Sequence, residues 1–186
     1  MKRLLDLALA AVALAVFSPF LLLAALAVKL TSPGPVLFYS ERIGRNNSRF
    51  MMIKFRSMRT HAPQVATHLM SSPARYLTPI GRILRRTSVD ELPQLINVLR
   101  GEMSLVGPRP ALFNQDDLVA LRTQKGIQTL VPGLTGWAQV NGRDELPITA
   151  KVQLDEYYLK NQSLPLDVKI LCLTVFKVFR TEGVSH

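Results

Sequence analysis

From Leu7 to Val28 the chain carries no charged residue, and a helix of that length reaches about 33 Å, enough to cross the hydrocarbon of a bilayer. Three readings of this run compete. It is a straight span, or a segment that enters and leaves by the same face, or a cleaved signal peptide with Lys2 and Arg3 in front and Ala25-Leu26-Ala27 as the cleavage site. Asp6 interrupts the start, and the run is longer than a usual signal core; both count against a signal peptide. Ser18-Pro19 falls at the middle. Proline removes a backbone donor and clashes with the preceding turn, so a kink or break is expected near Phe17, leaving two halves of about 16 Å each. Basic residues flank both ends, Lys2 and Arg3 before the run and Lys29, Arg42, Arg45 and Arg49 after it. Positive residues favour the cytoplasmic side, so both ends favour it. The expectation is a re-entrant helical hairpin over residues 1–30, broken at Ser18-Pro19, with a second unit over 31–186.

That second unit is strongly basic. The whole chain has a formal net charge of +10, and between Glu41 and Arg109 there are twelve Lys or Arg against four Asp or Glu. No acidic residue occurs from Arg42 to Val89. An ordinary solvated surface mixes its signs, so an anion is expected here: nucleic acid, acidic lipid headgroups or a phosphate-bearing substrate. Cys172 is the only cysteine, which excludes an intramolecular disulfide. His61, His68 and His186 show no metal-ligand spacing, which argues against zinc.

Thr31-Ser32-Pro33-Gly34-Pro35 closes the apolar segment. Val36 to Tyr39 and Phe50 to Phe55 read as strands around a polar turn at Gly44 to Ser48, and residues 60–75 read as a loop. Thr78-Pro79 opens a short basic helix through Arg86. Leu92, Leu95, Ile96 and Leu99 have the spacing of one buried helix face, ended by Gly101. Met103 to Val106 reads as a short strand, and Asn114 to Lys125 and Thr149 to Lys160 as helices separated by a glycine-rich stretch, Val131 to Arg143. Leu166 to Arg180 fits either a packed helix or one lying on a membrane surface, with Lys169, Lys177 and Arg180 loosely to one side. The fold class expected is α/β: a compact, helix-rich, membrane-associated domain with few short strands.

Asp90 and Glu91 are an adjacent acidic pair inside the basic region. A capping explanation exists, because Ser88-x-x-Glu91 fits a capping box. It would place Pro93 inside the helix, where it forfeits a hydrogen bond; a helix starting at Leu92 would instead leave both acids projecting ahead of it. Lys54, Arg56, Arg82, Arg85, Arg86 and Arg109 are near in sequence or on flanking elements. A carboxylate attacking a phosphate meets charge repulsion, which arginine forks and a divalent cation relieve. A carboxylate also needs no base at neutral pH. Asp, arginines and a metal therefore suffice for phosphoryl transfer through an acyl-phosphate. Pro132-Gly133-Leu134-Thr135-Gly136 and Asn141-Gly142-Arg143 form a loop able to approach a ligand by its backbone. Trp137 fits either a core position or a stack on a base.

Lys54-Phe55-Arg56-Ser57-Met58, Asp90-Glu91-Leu92-Pro93-Gln94, Gly107-Pro108-Arg109-Pro110 and Pro132-Gly133-Leu134-Thr135-Gly136 occur in this order. With them the chain, from Ser18-Pro19 to about Lys169, closely resembles the monotopic phosphoglycosyl transferases, the bacterial sugar transferase family, in a minimal form without extra spanning helices. The resemblance implies that Asp90 attacks the β-phosphate of a UDP-sugar and UMP leaves. A polyprenyl (undecaprenyl) phosphate then takes the sugar-phosphate from the covalent intermediate. It implies Mg2+ held by Asp90, with Glu91 assisting. Lys54, Arg85 and Arg109 would hold phosphate, Pro132, Gly133, Thr135 and Arg143 would meet the nucleotide, and Ser18 and Pro19 would form the membrane hairpin. The implied partners are a UDP-sugar, a polyprenyl phosphate, the membrane and a second copy of the chain, but no nucleic acid; the implied location is the cytoplasmic face of a bacterial inner membrane. One departure is that relatives often carry acidic residues after the Lys-Phe-Arg-Ser-Met motif, whereas residues 59–89 have none. The competing functions are a sugar-only transferase releasing UDP, disfavoured by the lack of an Asp-x-Asp-type site, and a membrane-tethered nucleic-acid binder, disfavoured by the lack of a reader motif.

Overall fold

A computed structural model describes residues 1–63, 73–142 and 146–180. It is helix-rich with few short strands. The first element, α1, runs uninterrupted from Lys2 to Thr31 with Pro19 inside it. The break expected at Ser18-Pro19 is therefore not an interruption of the helix. The Ala15 carbonyl, deprived of an N–H by Pro19, accepts the Ser18 hydroxyl at 2.8 Å. A serine placed just before the proline thus meets the hydrogen-bonding demand that would otherwise end the helix.

Strands β1 (Leu37–Ile43) and β2 (Arg49–Phe55) form an antiparallel hairpin in which Leu37 faces Phe55 and Ile43 faces Arg49. The turn is a single 3-10 turn, Arg45–Asn47, whose Asn46 and Asn47 both take positive φ, a region asparagine tolerates better than most residues. Next come α2 (Gly81–Arg86), a 3-10 turn at Val89–Glu91 and α3 (Gln94–Arg100). Gly101 ends α3 in the left-handed region, as expected. Of the expected stripe Leu95 is buried and Leu92 packs half-buried on the core, while Leu99 is exposed; Gln94, Asn97 and Val98 complete the buried side of α3. Asn97 explains the rotation: its Oδ1 accepts the Ile53 N–H at 3.0 Å, and its Nδ2 donates to the Met51 carbonyl at 2.9 Å. A polar side chain serving the β2 backbone turns the helix towards that strand.

Strand β3 (Ser104–Val106) pairs in parallel with β4 (Gly133–Thr135), which sequence periodicity does not reveal. Helices α4 (Asp116–Gln124), α5 (Trp137–Val140), α6 (Ile148–Asn161) and α7 (Leu164–Arg180) complete the chain. The apolar segment and the body share a core. Ala10 of α1 joins Phe50, Leu95, Val98, Met103, Tyr158 and Ile170, while Ala24 and Val28 join Phe55 and Leu84.

Both ends of α1 are tied to that one body. Near its start, Lys2 pairs with Asp167 at 2.6 Å, and Arg3 donates to the Val98 carbonyl at 2.6 Å and the Leu99 carbonyl at 3.0 Å. Past its end, the Arg56 guanidinium donates to the carbonyls of Ser32 and Pro33. Between them, Val12, Val16, Phe20, Leu22 and Leu23 are exposed. α7 has two faces. Asp167 and Ile170 are buried, while Val168, Cys172, Val175 and Phe176 lie exposed along one side.

Candidate active site

The 3-10 turn carrying Asp90 and Glu91 lies between α2 and α3. Ser88 adopts the left-handed region (φ 57°) and makes no side-chain cap. The capping box is thus not formed, and both acids stand ahead of α3, which has Pro93 at its N-cap. Their side chains are consequently free of helix-capping duty.

The two carboxylates have different surroundings. Glu91 Oε1 accepts Lys54 Nζ from β2 at 2.7 Å and Arg109 Nη2, from the loop after β3, at 3.2 Å. Burial pushes the Glu91 carboxyl up, but the charges of Lys54 and Arg109 and the hydrogen bonds they donate outweigh it. They hold the group well below the ordinary carboxylate range. Glu91 is therefore a fixed anion that fastens two cations. Burial, with the like charges of Arg109 and Arg42, lowers the Lys54 ammonium, and Glu91 and Asp90 oppose that shift.

Asp90 is 5 % exposed, and among the described residues nothing donates a hydrogen bond to its carboxylate. Burial lifts its pKa to about 6, helped by Glu91 and opposed by Lys54, Arg85 and Arg109. Three cations thus act on an anion that none of them saturates. A buried carboxylate without donors is costly, and a bound cation or a bond to an electrophile would relieve it.

Of the residues marked out in the sequence, Asp90, Glu91, Lys54, Arg85 and Arg109 are brought together. Arg56 is not, since it clasps the end of α1, and Arg82 and Arg86 are exposed on α2. The glycine-rich stretch does internal work. Gly107 donates to the Thr135 carbonyl and Gly133 to the Pro108 carbonyl, each at 2.9 Å. A Cβ on Gly133 would stand 2.1 Å from the Gly107 nitrogen, so the two backbones pass too closely for any side chain. Pro132 also packs within the fold, its carbonyl accepting the Ser104 N–H at 2.9 Å. The Thr135 hydroxyl meets Thr174 of α7 at 2.7 Å. Pro132, Gly133 and Thr135 thus buttress the Arg109 loop from behind. Arg143 lies outside the described residues.

Two supporting residues escaped the sequence reading. Arg42 donates to the Pro110 carbonyl at 3.3 Å, and Arg122 donates to the Arg109 carbonyl at 2.8 Å. Both partners are main-chain oxygens far away in sequence, so no local pattern announces them. Trp137 stacks on Tyr157 with ring centroids 5.5 Å apart, and Lys169 lies over its face.

Among the described residues no three or more His, Cys, Asp and Glu side chains are grouped to hold a metal. Among the described residues the carboxylate on offer is Asp90. That set suits a magnesium ion, which takes one or two carboxylates and completes its shell with substrate phosphates and water, and does not suit an all-protein cage.

The profile of the family described as bacterial sugar transferase matches residues 1–181. The chain is 44% identical to the uncharacterized sugar transferase EpsL of Bacillus subtilis, over 100% of this chain and 91% of that protein. It is 44% identical to a UDP-glucose:undecaprenyl-phosphate glucose-1-phosphate transferase of Caulobacter vibrioides, over 98% of this chain and 71% of that protein. An Escherichia coli protein of the same name is 43% identical over 96% of this chain, which spans 40% of that relative's length.

Proposed function

Since the chain belongs to the bacterial sugar transferase family, we propose that it transfers a sugar 1-phosphate from a UDP-sugar to a polyprenyl phosphate through an Asp90-bound intermediate. The observation that carries this reading is the contrast within one dyad. Glu91 is spent on Lys54 and Arg109, while the buried Asp90 carboxylate beside it receives no hydrogen bond among the described residues. The names of the relatives support the lipid acceptor and the nucleotide-sugar donor.

Arg85, Arg109 and Lys54 draw the donor's diphosphate to the dyad and spread the charge that builds during transfer. An Asp90 oxygen attacks the β-phosphorus, and the bond from that phosphorus to the bridging oxygen breaks. UMP leaves with the electron pair. An oxygen of the polyprenyl phosphate then attacks the same phosphorus, and the Asp90 carboxylate departs unchanged. Glu91 stays ionised throughout and keeps Lys54 and Arg109 in place. Mg2+, held by Asp90 and the donor's phosphates, would supply charge neutralisation at the diphosphate.

The lipid acceptor requires the site to stand at a membrane. α1 offers an exposed apolar middle with both ends on the body, and α7 offers an exposed apolar side. In this reading the middle of α1 dips into one leaflet, and both of its ends stay on the cytoplasmic face. Accessibility labels placed before Lys2 and after Ser32 should then react from the same side of sealed vesicles. Labelling from opposite sides would restore a straight span.

Purified protein given a panel of UDP-sugars, polyprenyl phosphate and Mg2+ should release UMP with one of them and form a lipid-linked diphosphosugar. Release of UDP would instead identify a sugar-only transferase, and release of neither would remove the enzymatic reading.

A further inference from the structure

Asp6 is the one acidic residue of α1, in its first two turns, and it is buried. Its Oδ2 accepts the Ser104 hydroxyl at 2.8 Å, and its Oδ1 accepts the Leu105 N–H at 3.2 Å. Burying a carboxylate against neutral donors is costly. Membrane insertion or helix packing would both be better served by an apolar side chain. The carboxylate does something an apolar residue cannot: it pairs with an edge. Among the described residues β3 has only β4 as a strand partner, and Leu105 lies between the two residues in register with β4. Its N–H goes to Asp6 instead.

The next residue along β3 is held from the same end of α1. The Val106 carbonyl lies 3.3 Å from the Tyr158 hydroxyl, which donates to Asp167 at 2.6 Å, and Asp167 in turn holds Lys2. Ser104 and Leu105 are thus held by Asp6 itself, and Val106 lies against the Tyr158–Asp167–Lys2 chain. Arg109 follows three residues later and grips Glu91.

We propose that Asp6 is a positioning residue for Arg109: it sets β3 against α1, so that full turnover requires the start of the membrane helix to be seated on the body. The inference rests on the phosphoglycosyl transfer reading, and the two fail separately. Absence of UMP release from the wild-type protein defeats that reading, whereas the variants below test only this one.

Asp6→Leu removes both acceptors while keeping the helix apolar, and should lower kcat about tenfold, as displacements of catalytic groups do. The protein should remain in the membrane fraction. Asp6→Asn should restore kcat to within about twofold, because its Oδ1 still takes the Leu105 N–H and its Nδ2 can donate to the Ser104 oxygen. In an Arg109→Lys background, Asp6→Leu should cost less than about twofold, since coupled residues do not add. Wild-type kcat in Asp6→Leu, or a loss that multiplies fully with Arg109→Lys, would overturn the proposal. Should Asp6→Leu not fold, Ser104→Ala replaces it in the same cycle: coupling to Arg109→Lys sustains the proposal, and independence defeats it.

Discussion

Asp90→Asn should reduce UMP release by about four orders of magnitude, on the scale seen when a nucleophile is deleted, and should make the unliganded protein harder to melt. The two effects share a cause. In the folded protein burial raises the Asp90 carboxyl to about 6 from an ordinary value of 3.8. The folded state therefore holds this proton to higher pH than the unfolded state does. The charged form costs stability; the cost is absent below 3.8, grows through the window up to about 6 and is complete above it. At pH 7.5 the asparagine variant escapes it, which is worth about 3 kcal/mol, or about 9 °C in Tm for a chain of this size. Thermal melts of the wild type should fall from pH 4.5 to 7 more steeply than those of the variant. Its kcat/KM for the donor should fall about tenfold per unit below pH 6. A mass increase after mixing with donor alone should appear in the wild type and be missing in Asp90→Asn. Retained turnover with an unaltered melting profile would sink both the nucleophile and the strained-carboxylate account.

The centre of this site was legible because it breaks a compositional rule. Two acids in a stretch of cations stand out in a sequence, and Lys54, Arg85 and Arg109 stood out as their counterparts. The spacing of Ser88 to Glu91 fits a capping box, but Pro93 spoke against it, and the left-handed Ser88 makes no side-chain cap while Glu91 turns to Lys54 and Arg109. The glycine-rich stretch was legible only as a close approach of backbone. Glycine does not name the neighbour, and one neighbour of Gly133 is the Gly107 main chain.

The fold shows the same division. The β1–β2 hairpin, α2, the glycine stop of α3 and the long helices follow from local patterning. β4 is a three-residue strand, too short to display a period, and exists because β3 lies alongside it. α1 follows its apolar composition, but its continuity through Pro19 depends on one hydroxyl reaching the Ala15 carbonyl. Asn97, Arg122 and Asp6 act on main-chain groups of distant elements, where sequence offers no register to read.

The pair behind the Arg109 loop should give the largest loss of stability. Asp155 is 1 % exposed and accepts Arg122 Nε at 3.0 Å and Nη2 at 2.6 Å. The same guanidinium donates to the Arg109 carbonyl. Burial raises the Asp155 carboxyl even though Arg122 pulls it down, so desolvation exceeds the attraction within the pair. The ion pair is then not a source of stability in itself, yet neither partner can be removed alone. Asp155→Leu strands a buried guanidinium and should cost about 3–5 kcal/mol, lowering Tm by roughly 10 °C. Joining it with Arg122→Met should recover most of that loss, because an apolar pair of similar volume carries no desolvation cost. Turnover should not recover with it, since the Arg109 carbonyl has lost its donor and the loop that presents Arg109 to Glu91 is no longer braced. Chemical denaturation of the two variants, alongside their UMP release, separates the effects. Recovery of activity together with stability would show that Arg122 only balances Asp155 and has no part in holding Arg109.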